Sequence, residues 1–118
     1  MSRLRKAVAI DFDGCLCTNA WPNVGIPDWD VINRAKWEQR AGAGLILWTC
    51  RSGEALEVAI RACQDWGLHF DAINDNLPDW VAAWGYSPRK VAADEYWDDL
   101  AITTIAKISQ IRRSENEN

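Results

Sequence analysis

The sequence predicts an α/β fold, a three-layer Rossmann-like domain with a central parallel β-sheet. Short apolar runs alternate along the chain with segments whose apolar residues recur at helical spacing. The first run, residues 7–10, is apolar at every position, which is typical of a strand buried on both faces of a parallel sheet. Strands that alternate with helices imply right-handed crossovers and helices on both faces of the sheet.

The first half of the chain carries clear boundary signals. After strand one, Asp13-Gly14 indicates a turn, and an irregular segment follows. Asp28 suits the N-cap of a first helix that ends before Gly42. A second strand is predicted over residues 45–48, and then a second helix that begins at Ser52 or Gly53 and ends at Gly67, with its apolar residues on one face.

The second half of the chain predicts shorter elements. A weaker strand is expected over residues 69–73, and a short helix over residues 78–84, because a proline stands in its first turn and a glycine follows it. A fourth strand over residues 95–97 and a last helix over residues 102–111 complete the pattern. We therefore expect one domain over residues 1–113, without a separate cap domain, and a disordered tail over residues 114–118.

Composition excludes several classes of protein. The chain has 118 residues, 48% of them hydrophobic, which suffices for one core without disulfides and is unlike an unfolded chain. With 13 basic and 17 acidic side chains the net charge is −4, which disfavours a nucleic-acid partner. No apolar run is long enough to cross a membrane. We expect a cytoplasmic protein with four free thiols, which are Cys15, Cys17, Cys50 and Cys63. The sequence does not determine the oligomeric state.

Polar side chains lie at the edge of the predicted sheet where ligands bind. In a parallel sheet that edge lies beyond the carboxyl ends of the strands. Carboxylates, a hydroxyl and an ammonium group converging there form the set that magnesium-assisted transfer of a phosphoryl group requires. The residues that supply them are Asp11 and Asp13 after strand one, Thr49 after strand two, Lys90 ahead of strand four, and Asp98 and Asp99 at its end.

The acidic residues have separate expected roles. Asp11 is the expected nucleophile, because an ionised carboxylate can attack phosphorus and hold the phosphoryl group as an acyl phosphate. Asp13 suits a general acid that protonates the leaving oxygen and later takes a proton from water. Mg²⁺ would be held by Asp11, the main-chain carbonyl of Asp13, and Asp98 or Asp99. Gly14 lets the backbone turn sharply under the ligand.

The other candidates are expected to bind the substrate. Lys90 provides a positive charge that keeps Asp11 ionised and steadies the transferring group. Thr49 can donate a hydrogen bond to a phosphoryl oxygen, and the amides around Cys50, just ahead of helix two, favour the same anion. Arg51 is placed either to contact the phosphate or leaving group of a substrate or to form a surface salt bridge.

These motifs resemble those of the haloacid dehalogenase-like phosphohydrolases. AVAIDFDGCLC looks like the first motif of that superfamily and LILWTCRSG like its second, in which a strand closes on Thr49. Lys90 and the YWDD segment resemble the third and fourth motifs. The four motifs occur in the same order as in the family. The match spans residues 8–99, and the DFDG block after an apolar strand is its most specific part.

The resemblance implies a phosphatase that acts on a small phosphomonoester through an aspartyl-phosphate on Asp11. It also implies Asp13 as acid/base and Asp99 rather than Asp98 as the direct metal ligand. The chain departs from the family pattern in having Cys15 where Thr or Val is commoner, in the short separation of its third and fourth motifs, and in lacking room for a cap. It therefore resembles the small capless members, with an open site and residues 19–28 as a partial lid.

Other functions remain as alternatives. A calcium loop opening at Asp11 is disfavoured, because its twelfth position would fall on Pro22. A receiver-type phosphoacceptor domain shares the residue types but not their order. A non-catalytic binding module and a nucleic-acid end phosphatase stay open, the latter through a basic patch formed by Arg3, Arg5, Lys6, Arg112 and Arg113.

Five of the eight tryptophans are assigned to two groups. Trp48, Trp66 and Trp97 fall within apolar elements and are expected in the core. Trp21 and Trp29 fall in a predicted loop and are candidates for stacking on a base or a sugar.

Overall fold

A computed structural model describes residues 4–99 of the chain. The elements are β1 (Ala7–Ile10), α1 (Trp29–Arg40), β2 (Gly44–Leu47), α2 (Gly53–Asp65), β3 (Ala72–Ile73), α3 (Pro78–Trp84) and β4 (Glu95–Trp97). The four strands form one parallel sheet in the order β3-β2-β1-β4. The predicted fold class is confirmed. The last predicted helix and the tail lie outside the described residues.

The sheet is covered on both faces because its strands alternate their apolar side chains. Val8 and Ile10 point towards α1 and α2 and pack in a core with residues such as Ile32 and Cys63. Ala7 and Ala9 point to the opposite face, where Leu77 and Trp80 of the α3 region pack. Each buried face is apolar, so burial of this surface stabilises all three layers. The described residues contain no separate cap domain.

Most helix boundaries follow the signals in the sequence. Asp28 caps α1, since its side chain accepts hydrogen bonds from the backbone N–H groups of Asp30 and Val31. Gly85 ends α3 in the left-handed conformation, with φ of 83°. Ser52 precedes α2 at the N-cap position but makes no side-chain capping hydrogen bond.

Three predictions about individual elements were wrong in detail. β2 begins and ends one residue earlier than predicted, so Trp48 follows the strand and is 39% exposed instead of lying in the core. β3 contains only residues 72 and 73. Trp29 is the first residue of α1 and not part of a loop. Trp66 and Trp97 do pack against the core, and Trp66 stacks on Phe12 with ring centroids 5.8 Å apart.

The strand register determines where the site forms. Ile10, the last residue of β1, pairs with Leu47 of β2 on one side and with Trp97 of β4 on the other. The backbone N–H of Asp11 donates to the carbonyl of Trp97 at 2.9 Å. The residues that follow β1, β2 and β4 therefore meet at one edge, beyond the carboxyl ends of three adjacent strands.

Candidate active site

The acidic residues from the two ends of the described chain meet at this edge. One carboxylate oxygen from each of Asp11, Asp98 and Asp99 lies within 4.8 Å of the others. Asp11 and Asp98 are half-buried, and Asp99 is exposed. Carboxylate oxygens at this separation can share one hard divalent cation, and both residues of the Asp98–Asp99 pair are close enough to take part.

Electrostatic repulsion and burial both act on Asp11. Burial raises the pKa of Asp11 to about 6, and the neighbouring carboxylates of Asp98, Asp13 and Asp99 push it in the same direction. The backbone N–H of Phe12 opposes the shift by donating to Asp11 Oδ1 at 2.8 Å. A cation bound among these acids would relieve the cost of ionising Asp11, so the donor set fits Mg²⁺.

Gly14 makes the approach of Asp99 possible. Its φ is +81°, which glycine adopts without steric cost. A Cβ at this position would lie 2.5 Å from Asp99 Oδ2 and 3.0 Å from Asp99 Cγ. Gly14 is therefore required for the backbone turn, as the sequence predicts, and also for the space that the Asp99 carboxylate occupies.

Asp13 and Arg51 form a buried ion pair beside the acidic cluster. Arg51 Nε donates to Asp13 Oδ2 at 2.8 Å, and Arg51 Nη2 donates to Asp13 Oδ1 at 2.7 Å. The Arg51 side chain is 1% exposed and that of Asp13 is 17% exposed. These hydrogen bonds raise the pKa of the guanidinium above its ordinary value. Such a bidentate contact orients the Asp13 carboxylate firmly.

The remaining donors of Arg51 are also taken by the protein. Nη1 donates to the carbonyls of Pro22 and Ala55 at 3.0 and 3.1 Å, and Nη2 donates to the carbonyl of Asn23 at 2.7 Å. A guanidinium has five N–H groups, and all five have acceptors here. The predicted surface salt bridge is therefore wrong, because the ion pair is buried, and no N–H of Arg51 is left for a phosphate.

Thr49 is held beside the cluster by its own backbone. Its N–H donates to Asn74 Oδ1 at 2.8 Å, and its Oγ1 accepts from the N–H of Arg51 at 3.1 Å. Because Oγ1 acts as the acceptor in that bond, its hydroxyl proton can still be donated to a ligand. Asn74, which has a φ of 51°, was not predicted as a site residue. Its position directly after a predicted strand was the signal in the sequence that could have identified it.

These side chains line one open cavity of about 470 Å³. Its volume is within the range of about 300 to 1,000 Å³ that is usual for small-molecule sites. The sequence predicted six of the lining residues as site residues, and it predicted Asn19 and Trp21 as part of the loop over residues 19–28 that forms a partial lid. The full lining is Asp11, Asp13, Asn19, Trp21, Thr49, Cys50, Arg51 and Asp99.

Lys90 lies in a neighbouring cavity and not in this one. It is exposed, and it lines a space of about 370 Å³ together with Trp48, Val91, Tyr96 and Asp98. Asp98 belongs both to this lining and to the acidic cluster. The structure thus brings Thr49 and Cys50 into the cavity of Asp11 but places Lys90 outside it.

The thiols of the site region have different surroundings. Burial raises the pKa of Cys15 to about 12, and the charge of Asp11 adds to that effect. Cys15 is therefore protonated at neutral pH and is not a nucleophile. Cys50 is exposed on the cavity wall. All four cysteines are free thiols, as the sequence predicts.

Basic side chains near the start of the described chain are paired with acids. Arg5 Nη2 lies 3.0 Å from Asp79 Oδ1, and Lys6 Nζ lies 3.1 Å from Glu38 Oε2 and 2.8 Å from Glu95 Oε2. These two cations are engaged within the fold and do not form an open basic patch. The other residues of the suggested patch lie outside the described residues: Arg3, Arg112 and Arg113. None of the helices described is long and apolar enough to cross a bilayer.

Comparison with known proteins adds one relative. A solved structure, described as that of a conserved protein coded by a locus from Bacteroides thetaiotaomicron, is 30% identical to this chain. The match covers 95% of this chain and 93% of the other, with a TM-score of 0.72. This chain belongs to the same family as that conserved protein. No protein-family model and no curated protein matches the chain.

The relationship supports the α/β architecture of the described residues. It reaches the segments that carry Asp11, Thr49 and the Asp98–Asp99 pair, because so little of either chain lies outside the match. A shared fold does not by itself imply a shared reaction. The function proposed for this chain therefore rests on the geometry of its own site.

Proposed function

We propose that this protein is a Mg²⁺-dependent phosphatase that hydrolyses a small phosphomonoester through an aspartyl-phosphate on Asp11. The proposal rests on one observation above the others: carboxylate oxygens of Asp11, Asp98 and Asp99 lie within 4.8 Å of one another. Two of them, Asp11 and Asp99, line a cavity that Asp13 and Thr49 also line, and Asp98 lines the neighbouring cavity. The resemblance of the four sequence motifs to haloacid dehalogenase-like phosphohydrolases supports the same reaction.

The three carboxylates would hold the metal. Bound there, Mg²⁺ would neutralise negative charge on the phosphoryl group and on the acids around it. The approach of an anionic carboxylate to an anionic phosphate would otherwise be opposed by repulsion. Burial raises the pKa of Asp11, and repulsion from Asp98, Asp13 and Asp99 adds to that shift.

In the proposed reaction the Asp11 carboxylate attacks phosphorus. Its Oδ1 accepts the N–H of Phe12, which fixes the orientation of the carboxylate. In the first step a bond forms between an Asp11 oxygen and phosphorus, and the bond from phosphorus to the leaving oxygen breaks. In the second step water attacks the phosphorus, inorganic phosphate leaves and the Asp11 carboxylate is restored. The Thr49 hydroxyl would donate a hydrogen bond to a phosphoryl oxygen in both steps.

Asp13 would move the proton in the second step. Both of its oxygens accept from N–H groups of Arg51, at 2.8 and 2.7 Å, which fixes the orientation of the carboxylate. It can take a proton from the attacking water, since each carboxylate oxygen has a second acceptor position. To protonate the leaving group in the first step, the Arg51 contact at one oxygen would have to open.

A phosphatase screen with matched variants tests the proposal. The native protein is expected to release inorganic phosphate from small phosphomonoesters with Mg²⁺ and not with a chelator. Asp11→Asn should abolish release while leaving the fold intact, whereas Asp65→Asn, an exposed carboxylate at the end of α2, should change nothing. Activity retained in Asp11→Asn, or stable phosphorylation of Asp11 without turnover, would overturn it.

A further inference from the structure

Trp21 is an exposed indole on the wall of the candidate active site. It is 64% exposed and lines the same cavity as Asp11 and Thr49. Other exposed tryptophans have different surroundings. The ring centroid of Trp29 is 5.7 Å from the Lys36 ammonium, and that of Trp37 is 4.8 Å from the Arg34 guanidinium. No ring–ring or cation–π pair within residues 4–99 involves Trp21. Its ring is therefore available to a ligand of the cavity.

The loop that carries Trp21 is held in place from both sides. Arg51, itself buried, donates to the carbonyls of Pro22 and Asn23, the two residues that follow Trp21. Further along, Thr18 and Ile26 exchange two hydrogen bonds: Thr18 N–H donates to the Ile26 carbonyl at 2.9 Å, and Ile26 N–H donates to Thr18 Oγ1 at 2.8 Å.

Close packing at the base of the loop adds to this constraint. A Cβ at Gly25 would lie 2.0 Å from the carbonyl oxygen of Thr18, so the two backbone segments touch directly. Trp21 is thus presented on an ordered rim. A loop whose backbone is ordered before binding costs a ligand little conformational entropy.

The position of Trp21 relative to the reacting group defines what it can contact. Two of the acids that would hold Mg²⁺, Asp11 and Asp99, line the same cavity as Trp21. A cavity of about 470 Å³ is much larger than a phosphoryl group requires, so it has room for the leaving group of a substrate. An indole face binds flat, polarisable groups by stacking, with little preference among them.

We propose that Trp21 is a specificity-determining residue that stacks on a planar aromatic or heteroaromatic ring in the leaving group of the substrate. This inference rests on the proposed function. Arg51 acts as a positioning residue, since it fixes the Trp21 loop and orients Asp13 with the same guanidinium. The substrate class is then a small phosphomonoester that carries a ring, such as a nucleoside monophosphate or an aryl phosphate.

Hydrolysis of matched substrates tests the inference. Nucleoside 5′-monophosphates and ribose 5-phosphate share the phosphate and the sugar and differ in the ring. We expect the native protein to favour the nucleotide in kcat/KM about tenfold, a typical effect of one stacking contact. Trp21→Ala should remove this preference by lowering kcat/KM for the nucleotide, Trp21→Phe should keep most of the preference, and Trp29→Ala should keep all of it.

Binding without turnover provides a second, independent readout. With Mg²⁺ present, calorimetry compares phenylphosphonate with methylphosphonate on the native protein, and nucleotide with ribose 5-phosphate on Asp11→Asn. We expect the ring-bearing member of at least one pair to bind about tenfold more tightly, and Trp21→Ala to abolish the difference. The pair that shows the effect identifies an aryl or a nucleotide source.

The two proposals fail in different ways. If ring-bearing and ring-free compounds are hydrolysed equally, or if Trp21→Ala lowers kcat/KM for both members of a pair by the same factor, the role of Trp21 is overturned and the phosphatase stands. If nothing is hydrolysed, the phosphatase is overturned. Binding of neither ring-bearing compound above its ring-free partner then overturns the role of Trp21 as well.

Discussion

Arg51 and Asp13 are joined by two hydrogen bonds of 2.8 and 2.7 Å, and the Arg51 side chain is 1% exposed. The same guanidinium also holds the loop that carries Trp21, because it donates to the Pro22 and Asn23 carbonyls. One buried cation therefore connects the acid after β1, the segment before α2 and the loop that carries Trp21. This arrangement makes Arg51 a structural requirement of the site.

Arg51→Lys tests that requirement. Lysine keeps the charge but cannot make the bidentate contact or reach all three carbonyls. We expect the free energy of unfolding to fall by about 2 to 3 kcal/mol, near the lower end for breaking a buried ion pair. Denaturant unfolding measures it, with Arg61→Lys, an exposed position on α2, as the control within about 0.5 kcal/mol of native. A loss no larger than the control's would contradict the structural role.

Gly14→Ala should separate metal binding from stability. The added Cβ would lie 2.5 Å from Asp99 Oδ2, so the carboxylate must move away from Asp11 and Asp98. We expect Mg²⁺ affinity, measured by calorimetry, to fall at least about tenfold, which corresponds to about 1.4 kcal/mol.

Gly85→Ala is the matched control for that variant. Its φ of +83° is close to the +81° of Gly14, but a Cβ there would meet nothing within 4 Å. Both variants should lose about 1 to 2 kcal/mol of stability from backbone strain. Only Gly14→Ala should lose metal affinity, and equal Mg²⁺ affinity in the two variants would argue against a role of Asp99 as ligand.

Asp11→Asn is expected to stabilise the metal-free protein at neutral pH. The pKa of Asp11 in the fold is about 6, above its ordinary value of 3.8, so ionisation of this carboxyl group opposes folding. We expect a gain of about 1 to 2 kcal/mol in the free energy of unfolding, reduced by solvent screening of a partly exposed group.

The pH dependence fixes the sign of this effect. A raised pKa means that the folded state binds the proton more tightly than the unfolded state does. The contribution of Asp11 to stability is therefore full below about pH 4 and is lost as the pH rises through about 6. Denaturant unfolding in a chelator should show the advantage of Asp11→Asn above about pH 6 and none below about pH 4. A variant that is less stable than native at neutral pH would show that Asp11 is not strained.

Mg²⁺ binding should weaken in acid. A cation bound by Asp11 requires the ionised carboxylate, whose pKa in the metal-free protein is about 6. Affinity is expected to fall by up to about tenfold for each pH unit below 6, with release of a proton on binding. Calorimetry at about pH 5 and about pH 8, in buffers of different ionisation enthalpy, measures both quantities. Equal affinity at the two pH values would exclude Asp11 as a ligand.

The sequence by itself determined the architecture and the acidic centre. Four strands, three of the helices and the meeting of Asp11 with Asp98 and Asp99 follow from local patterns, because in a parallel sheet the residues after neighbouring strands must share an edge. The boundary of β2 was displaced by one residue, since an apolar Trp48 extends the hydrophobic run without distinguishing a buried position from an exposed one.

Only the tertiary structure decided which partners the polar residues have. Arg51 reads in the sequence as a substrate contact or a surface ion pair, but its five donors are matched by acceptors from three separate segments. Lys90 lies in the neighbouring cavity, and Trp21 lies on the wall of the site. Hydrogen bonds between residues distant in sequence depend on how loops fold over the sheet edge. The spacing of residues along the chain therefore does not predict these hydrogen bonds.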